Sequence, residues 1–73
     1  MNHLEWQDVI STRITAEAYD ADTETIYVRF PSGVEWWYEA CPRNVWEEFT
    51  AYGQSRGKYI HQVLNAKPNG RLV

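Results

Sequence analysis

The sequence predicts an α+β domain in which a three-stranded antiparallel meander carries two C-terminal helices on one face, in the order β-β-β-α-α. Three observations predict it. Apolar and polar residues alternate with period two in three runs between residues 12 and 39. After Pro42 the apolar spacing changes to that of a helix, twice over. The chain has 73 residues, 44% hydrophobic and 15% aromatic, enough for one small domain with a dense core. That domain spans 1–73, with a core of about 9–64, an N-terminal extension at 1–8 and a C-terminal tail at 65–73.

Leu4, Trp6, Val9 and Ile10 fit no clean period, so the first ten residues read either as a short helix or as a segment laid against the core. Strand one begins at Thr12, with Ile14, Ala16 and Ala18 on one side and Arg13, Thr15, Glu17 and Tyr19 on the other. Asp20 to Glu24 is a polar loop. Strand two runs from Thr25 to Phe30, with Ile26, Val28 and Phe30 aligned. Pro31-Ser32-Gly33 is a three-residue hairpin loop: proline presets φ, and glycine takes the left-handed position that follows. Val34, Trp36 and Tyr38 alternate with Glu35, Trp37 and Glu39 in strand three. Pro42 suits the first position of a helix reaching about Tyr52, with Val45, Phe49 and Tyr52 in one stripe and Gly53 as its stop. Ser55 suits the N-cap of a second helix, whose apolar positions are Tyr59, Ile60, Val63 and Leu64. Pro68 disfavours helical geometry in the residue before it and ends that helix.

The loops set the register. Pairing Tyr19 with Thr25, and Phe30 with Val34, keeps even residues on one face and odd residues on the other. The even face carries Ile14, Ala16, Ala18, Ile26, Val28, Phe30, Val34, Trp36 and Tyr38. It reads as the core face, closed by Val45, Phe49, Ile60 and Leu64. The odd face sets Tyr27 beside Trp37, ringed by Glu17, Glu35 and Glu39 with Arg29 among them. No predicted helix covers it. An exposed Trp–Tyr pair is either a recognition platform or the seat of residues 1–8 or of a second copy of the chain.

Charge is distributed unevenly. Residues 1–48 hold all ten acids and three arginines, a balance of −7, while residues 49–73 hold Arg56, Lys58, Lys67 and Arg71 and no acid. The acidic rim around Tyr27, Arg29, Glu35, Trp37 and Glu39 repels phosphate and favours a protein partner. Ser55, Arg56, Lys58, Lys67 and Arg71 form the alternative, a phosphate- or nucleic-acid-binding set beginning at a helix N-terminus.

Catalytic chemistry is not expected. Glu47 and Glu48 are adjacent on a helix and diverge. Asp20 to Glu24 opens like a calcium loop, but Thr25 stands where glycine is required and Pro31 where glutamate is. His3, Cys41 and His61 are too scattered for zinc. No metal, cofactor or nucleophile–base pair is therefore assigned. The lone Cys41 suits a reducing, cytoplasmic setting. The N-terminus shows no signal-peptide pattern, and no apolar run is long enough to cross a membrane.

Short motifs punctuate this plan: Ser11 before strand one, Tyr19-Asp20 at the first turn, Phe30 with Gly33, Trp36-Trp37-Tyr38, Cys41-Pro42, and Ser55-Arg56-Gly57 ahead of Tyr59-Ile60. Their order and spacing resemble the KTSC domain family over about residues 9–64. Trp36 replaces the first tyrosine of the family's Y-x-Y pair, Cys41 its usual valine, and His61 a frequent asparagine. The family occurs at the C-terminus of some lysyl-tRNA synthetases and as free-standing bacterial and phage proteins. The resemblance carries a suggestion of RNA binding, from the synthetase context, while the residues themselves read as a small non-catalytic module that binds a protein partner. It also raises a phage or mobile-element accessory protein that inhibits a host nucleic-acid-handling protein.

Overall fold

The computed structural model describes residues 4–72. Its centre is an antiparallel sheet of five strands in chain order: β1 (Gln7–Asp8), β2 (Ala16–Asp20), β3 (Thr25–Arg29), β4 (Glu35–Tyr38) and β5 (Asn69–Leu72). Between β4 and β5 come α1 (Arg43–Phe49), α2 (Arg56–Gln62) and a 3-10 turn at Leu64–Ala66. The α+β class, the antiparallel sheet and the two helices agree with the sequence. The strand count does not, because the expected extension and tail each supply an edge strand. Two and four residues are too short to display a period, and Asn69 and Gly70 are poor strand formers. Tertiary pairing makes β5 instead. The Trp36 indole N–H donates to Asn69 Oδ1 at 2.9 Å, and the Glu39 N–H donates to the Pro68 carbonyl at 2.8 Å.

The β3–β4 hairpin has the expected register, with Ile26 opposite Tyr38, Val28 opposite Trp36 and Tyr27 opposite Trp37. Gly33 takes φ +93° in its loop. The β2–β3 hairpin is shifted by one residue. Tyr19 faces Ile26 and Asp20 faces Thr25, so the loop has four residues, with Glu24 left-handed at φ +52°. Asp20 Oδ1 braces it by accepting the Asp22 N–H at 3.0 Å. The shift is absorbed at the start of the strand, where two residues meet one. The Thr15 N–H donates to the Arg29 carbonyl at 2.8 Å, and Ala16 is the register partner of Arg29. Ile14 therefore stays on the helix side, but every residue after it changes face. Glu17 and Tyr19 turn towards the helices, while Ala16 and Ala18 turn away.

The core comprises Ile14, Ile26, Val28, Tyr38, Cys41, Phe49, Tyr59, Ile60 and Leu64. Phe30, Trp36 and Val45, expected within it, are only partly buried at its margin. Tyr19 stacks on Trp46 at 5.2 Å, and its hydroxyl donates to the Cys41 carbonyl at 2.7 Å. The Glu17 carboxylate is 3% exposed and lies under α2. Its Oε1 and Oε2 accept from Arg56 Nε and Nη2, both at 2.9 Å. Pro42 is the N-cap of α1, and the helix stops at Phe49, where the Thr50 hydroxyl donates back to the Trp46 carbonyl at 2.8 Å. Tyr52 thus lies beyond the helix and is fully exposed, contrary to its expected place in the stripe. Ser55 caps α2 as expected, accepting the Lys58 N–H at 3.2 Å.

Burial raises the phenols of Tyr19, Tyr27, Tyr38 and Tyr59 and the thiol of Cys41 above their ordinary values. Tyr59 rises far, because burial is reinforced by the Glu48 carboxylate that accepts its hydroxyl at 2.7 Å. A group with a raised folded value contributes stability that is whole below its unfolded value and is lost as pH climbs through the folded one. The melting temperature should therefore fall as pH rises past the unfolded tyrosine value of about 10. Tyr59→Phe should make that decline shallower. A melting profile that stays level well into the alkaline range would refute it.

Candidate functional site

The sheet face turned away from the helices gathers the residues of the expected platform. The β1–β2 register, Gln7 to Glu17 and Asp8 to Ala16, brings Trp6 alongside Ala18. One row across the sheet is then Trp6, Ala18, Tyr27, Trp37 and Gly70, and the next is Asp8, Ala16, Arg29, Glu35 and Leu72. The small Ala18 lets its larger neighbours close over it. The Trp6 and Tyr27 rings meet edge to face at 6.5 Å, and Ala18 is 1% exposed beneath them. Gly70 serves the other end of the row. A Cβ there would sit 2.7 Å from Trp37 Cζ2, so only glycine leaves the indole its place across β5.

Arg29 lies over Trp6, its Cζ 4.5 Å from the ring centroid, and its Nη2 is 2.8 Å from Glu35 Oε2. The two side chains remain 35% and 30% exposed. The pair therefore orients the arginine more than it stabilises the fold, at about 0.2–1 kcal/mol. Glu39 continues the β4 ladder on the same face through its bond to Pro68. The Tyr27 phenol is raised first by burial, then by the Asp20 and Glu39 carboxylates on either side. Tyr27, Arg29, Glu35, Trp37 and Glu39 thus share one surface. Residues 4–8 do not fold over it; they flank it as an edge, adding Trp6. Residues 1–3, and with them His3, lie outside the described residues. Sequence reasoning missed Trp6 and Gly70. The alternation of Leu4 and Trp6 with Glu5 and Gln7 was the available signal for the first; Gly70 had none.

The second set is dispersed. Arg56 is held by Glu17, and the Lys67 ammonium donates to the Ala40 carbonyl at 2.8 Å. Lys58 is exposed on α2, and Arg71 stands opposite Trp36 on β5. Ser55 and Arg56 join Ile10, Ser11, Thr12 and Gln54 around an open pocket of about 470 Å³. Two motif stretches far apart in sequence, around Ser11 and Ser55, meet there. Among the described residues no three of His, Cys, Asp and Glu converge on a metal position, and no helix is long and apolar enough to cross a membrane.

The sequence profile of the KTSC domain family matches residues 10–67. The fold is that of the crystal structure of a KTSC domain protein from Yersinia pestis. The TM-score is 0.87 at 21% identity, over 97% of this chain and 100% of that one. Among curated proteins, none matches this chain.

Proposed function

The chain belongs to the KTSC domain family, and we propose that it is a non-catalytic module that binds a protein partner through the open face of its sheet. One observation carries the proposal. The helices cover only one side of the sheet, and the other presents Trp6, Tyr27 and Trp37 in a single row beside Arg29. Trp, Tyr and Arg are the side chains that dominate the energetics of protein interfaces. The alternative, nucleic-acid binding by Ser55, Arg56, Lys58, Lys67 and Arg71, draws less support, since Arg56 and Lys67 are already engaged within the domain.

Trp37→Ala separates binding from folding. Its cross-strand pairing with Tyr27 contributes about 0.2–1 kcal/mol to the sheet, so the melting temperature should fall only slightly. As an interface anchor the same residue should contribute about 2 kcal/mol or more, and capture of the partner from source cells should drop roughly thirtyfold. Normal melting with undiminished capture would sink the platform. Capture abolished by nuclease would shift the reading to nucleic acid.

A further inference from the structure

The sheet ends in two edges that differ in kind. Strand β1 is two residues long and carries Asp8, the short and charged form that discourages further pairing. Strand β5 is four residues long, and Arg71 is its one charge. Hydrogen bonds alternate along an antiparallel pair, so each residue turns its N–H and C=O to one side only. The Phe30 N–H donates to the Val34 carbonyl, which places the bonds of Trp36 and Tyr38 towards β3. The Glu39 N–H donates to the Pro68 carbonyl, so Trp37 with Gly70 and Glu35 with Leu72 are the bonded pairs of β4 and β5. Asn69 and Arg71 therefore aim their backbone N–H and C=O groups out of the sheet. Both residues are exposed, and no described residue bonds to those groups.

We propose that β5 pairs with β5 of a second copy of this chain, antiparallel about a two-fold axis at Gly70, joining two five-stranded sheets into one. Asn69 of each copy then exchanges both backbone bonds with Arg71 of the other, and every outward group is satisfied. Charge selects this register. The smallest slips that keep these groups bonded are of two residues, and they set Arg71 opposite either Arg71 or Lys67 of the other copy. Like charges directly opposite are destabilising, whereas Asn69 is neutral. Gly70 contributes as well. It meets Gly70 of the second copy at a close, non-bonded position. The Trp37 indole already lies across it, with Cζ2 2.7 Å from where a Cβ would be. A glycine on the facing strand leaves room for both indoles, which cover the joint on the open face. The pairing does not depend on the protein-binding reading; it sets two platforms side by side.

The contact is small, so association should be weak. Sedimentation of the full chain should show a species of twice its mass forming as the concentration rises towards about 1 mM. Amide exchange on the same samples should be fast at Asn69 and Arg71 in dilute chain and should slow in step with the dimer. In a mixture of isotopically labelled and unlabelled chain, a nuclear Overhauser cross-peak should join the Gly70 α protons of the two copies. Arg71→Pro removes an outward donor and spares the inward bonds of β5. It should weaken dimerisation about tenfold, through two symmetry-related bonds, and leave the melting of dilute chain nearly unchanged. If that variant does not fold, amide exchange and the Gly70 cross-peak of the parent decide. A chain that stays monomeric to about 1 mM would overturn the proposal. So would a dimer whose Asn69 and Arg71 amides still exchange fast, or one that a folded Arg71→Pro chain forms at full affinity. Intermolecular cross-peaks at Tyr27 and Arg29 in place of Gly70 would make the dimer face to face and overturn it too.

Discussion

Phe49→Ala should lower stability by about 3–5 kcal/mol, the range for removing a fully buried aromatic side chain. Phe49 is 0% exposed and occupies the junction of both helices with the sheet. Its ring is 6.2 Å from Trp46 and 5.7 Å from Tyr59, and the Arg56 guanidinium lies 5.5 Å above it. Little can relax into the space it would leave, because its neighbours are tied to other partners: the Tyr59 ring to Glu48, the Arg56 guanidinium to Glu17. A domain of this size has a total stability of about 4–11 kcal/mol, so the loss is a large fraction of the whole. The melting temperature should fall by roughly 15–30 °C. Tyr52→Ala is the matched control. It belongs to the same apolar stripe in sequence, yet lies past the end of α1 in full solvent, and should change stability by less than about 0.5 kcal/mol. Equal effects from the two substitutions would mean that α1 continues through Tyr52 and that its core contacts are different.

How far the sequence speaks for the structure varies by element, for identifiable reasons. The β3–β4 hairpin was legible because two patterns agreed: strict alternation on both strands, and a Pro-Ser-Gly loop with one natural register. The platform residues Tyr27, Arg29, Glu35, Trp37 and Glu39 came together in the structure because all of them lie on that hairpin or continue its ladder. Strand β2 misled. Ile14, Ala16 and Ala18 share a parity, so they read as one buried side. All three are buried, but on opposite faces, because the two-against-one step at Thr15 and Ala16 intervenes. Alanine is compatible with either environment and gives no warning. The warning would have been Glu17, and a glutamate reads as buried only when its partner is known. That partner, Arg56, is 39 residues away. The edge strands were illegible for a different reason: β1 and β5 are made by pairing with β2 and β4 and carry little preference of their own.

The Glu17–Arg56 pair should show an asymmetry between breaking it and removing it. Arg56→Ala leaves the Glu17 carboxylate, 3% exposed, without its partner and should cost about 3–5 kcal/mol, whereas Glu17→Ala leaves a guanidinium 18% exposed beside an open pocket and should cost less. Replacing both together, Glu17→Leu with Arg56→Met, leaves no charge behind and should return stability to within about 1 kcal/mol of the parent or above it. Urea unfolding of the three variants measures this directly. The pair is nonetheless informative about how this sequence chooses its fold. A one-residue slip of β2 would carry Glu17 to the open face and leave Arg56 unpaired beneath α2, so the ion pair opposes the alternative parity that Ala16 and Ala18 would tolerate. The double variant should therefore be as stable as the parent yet less certain of its β2 register, seen as a second set of amide resonances for residues 16–20. Stability fully retained after Arg56→Ala alone would show that the guanidinium is not held by Glu17, and would return it to the bases available for phosphate.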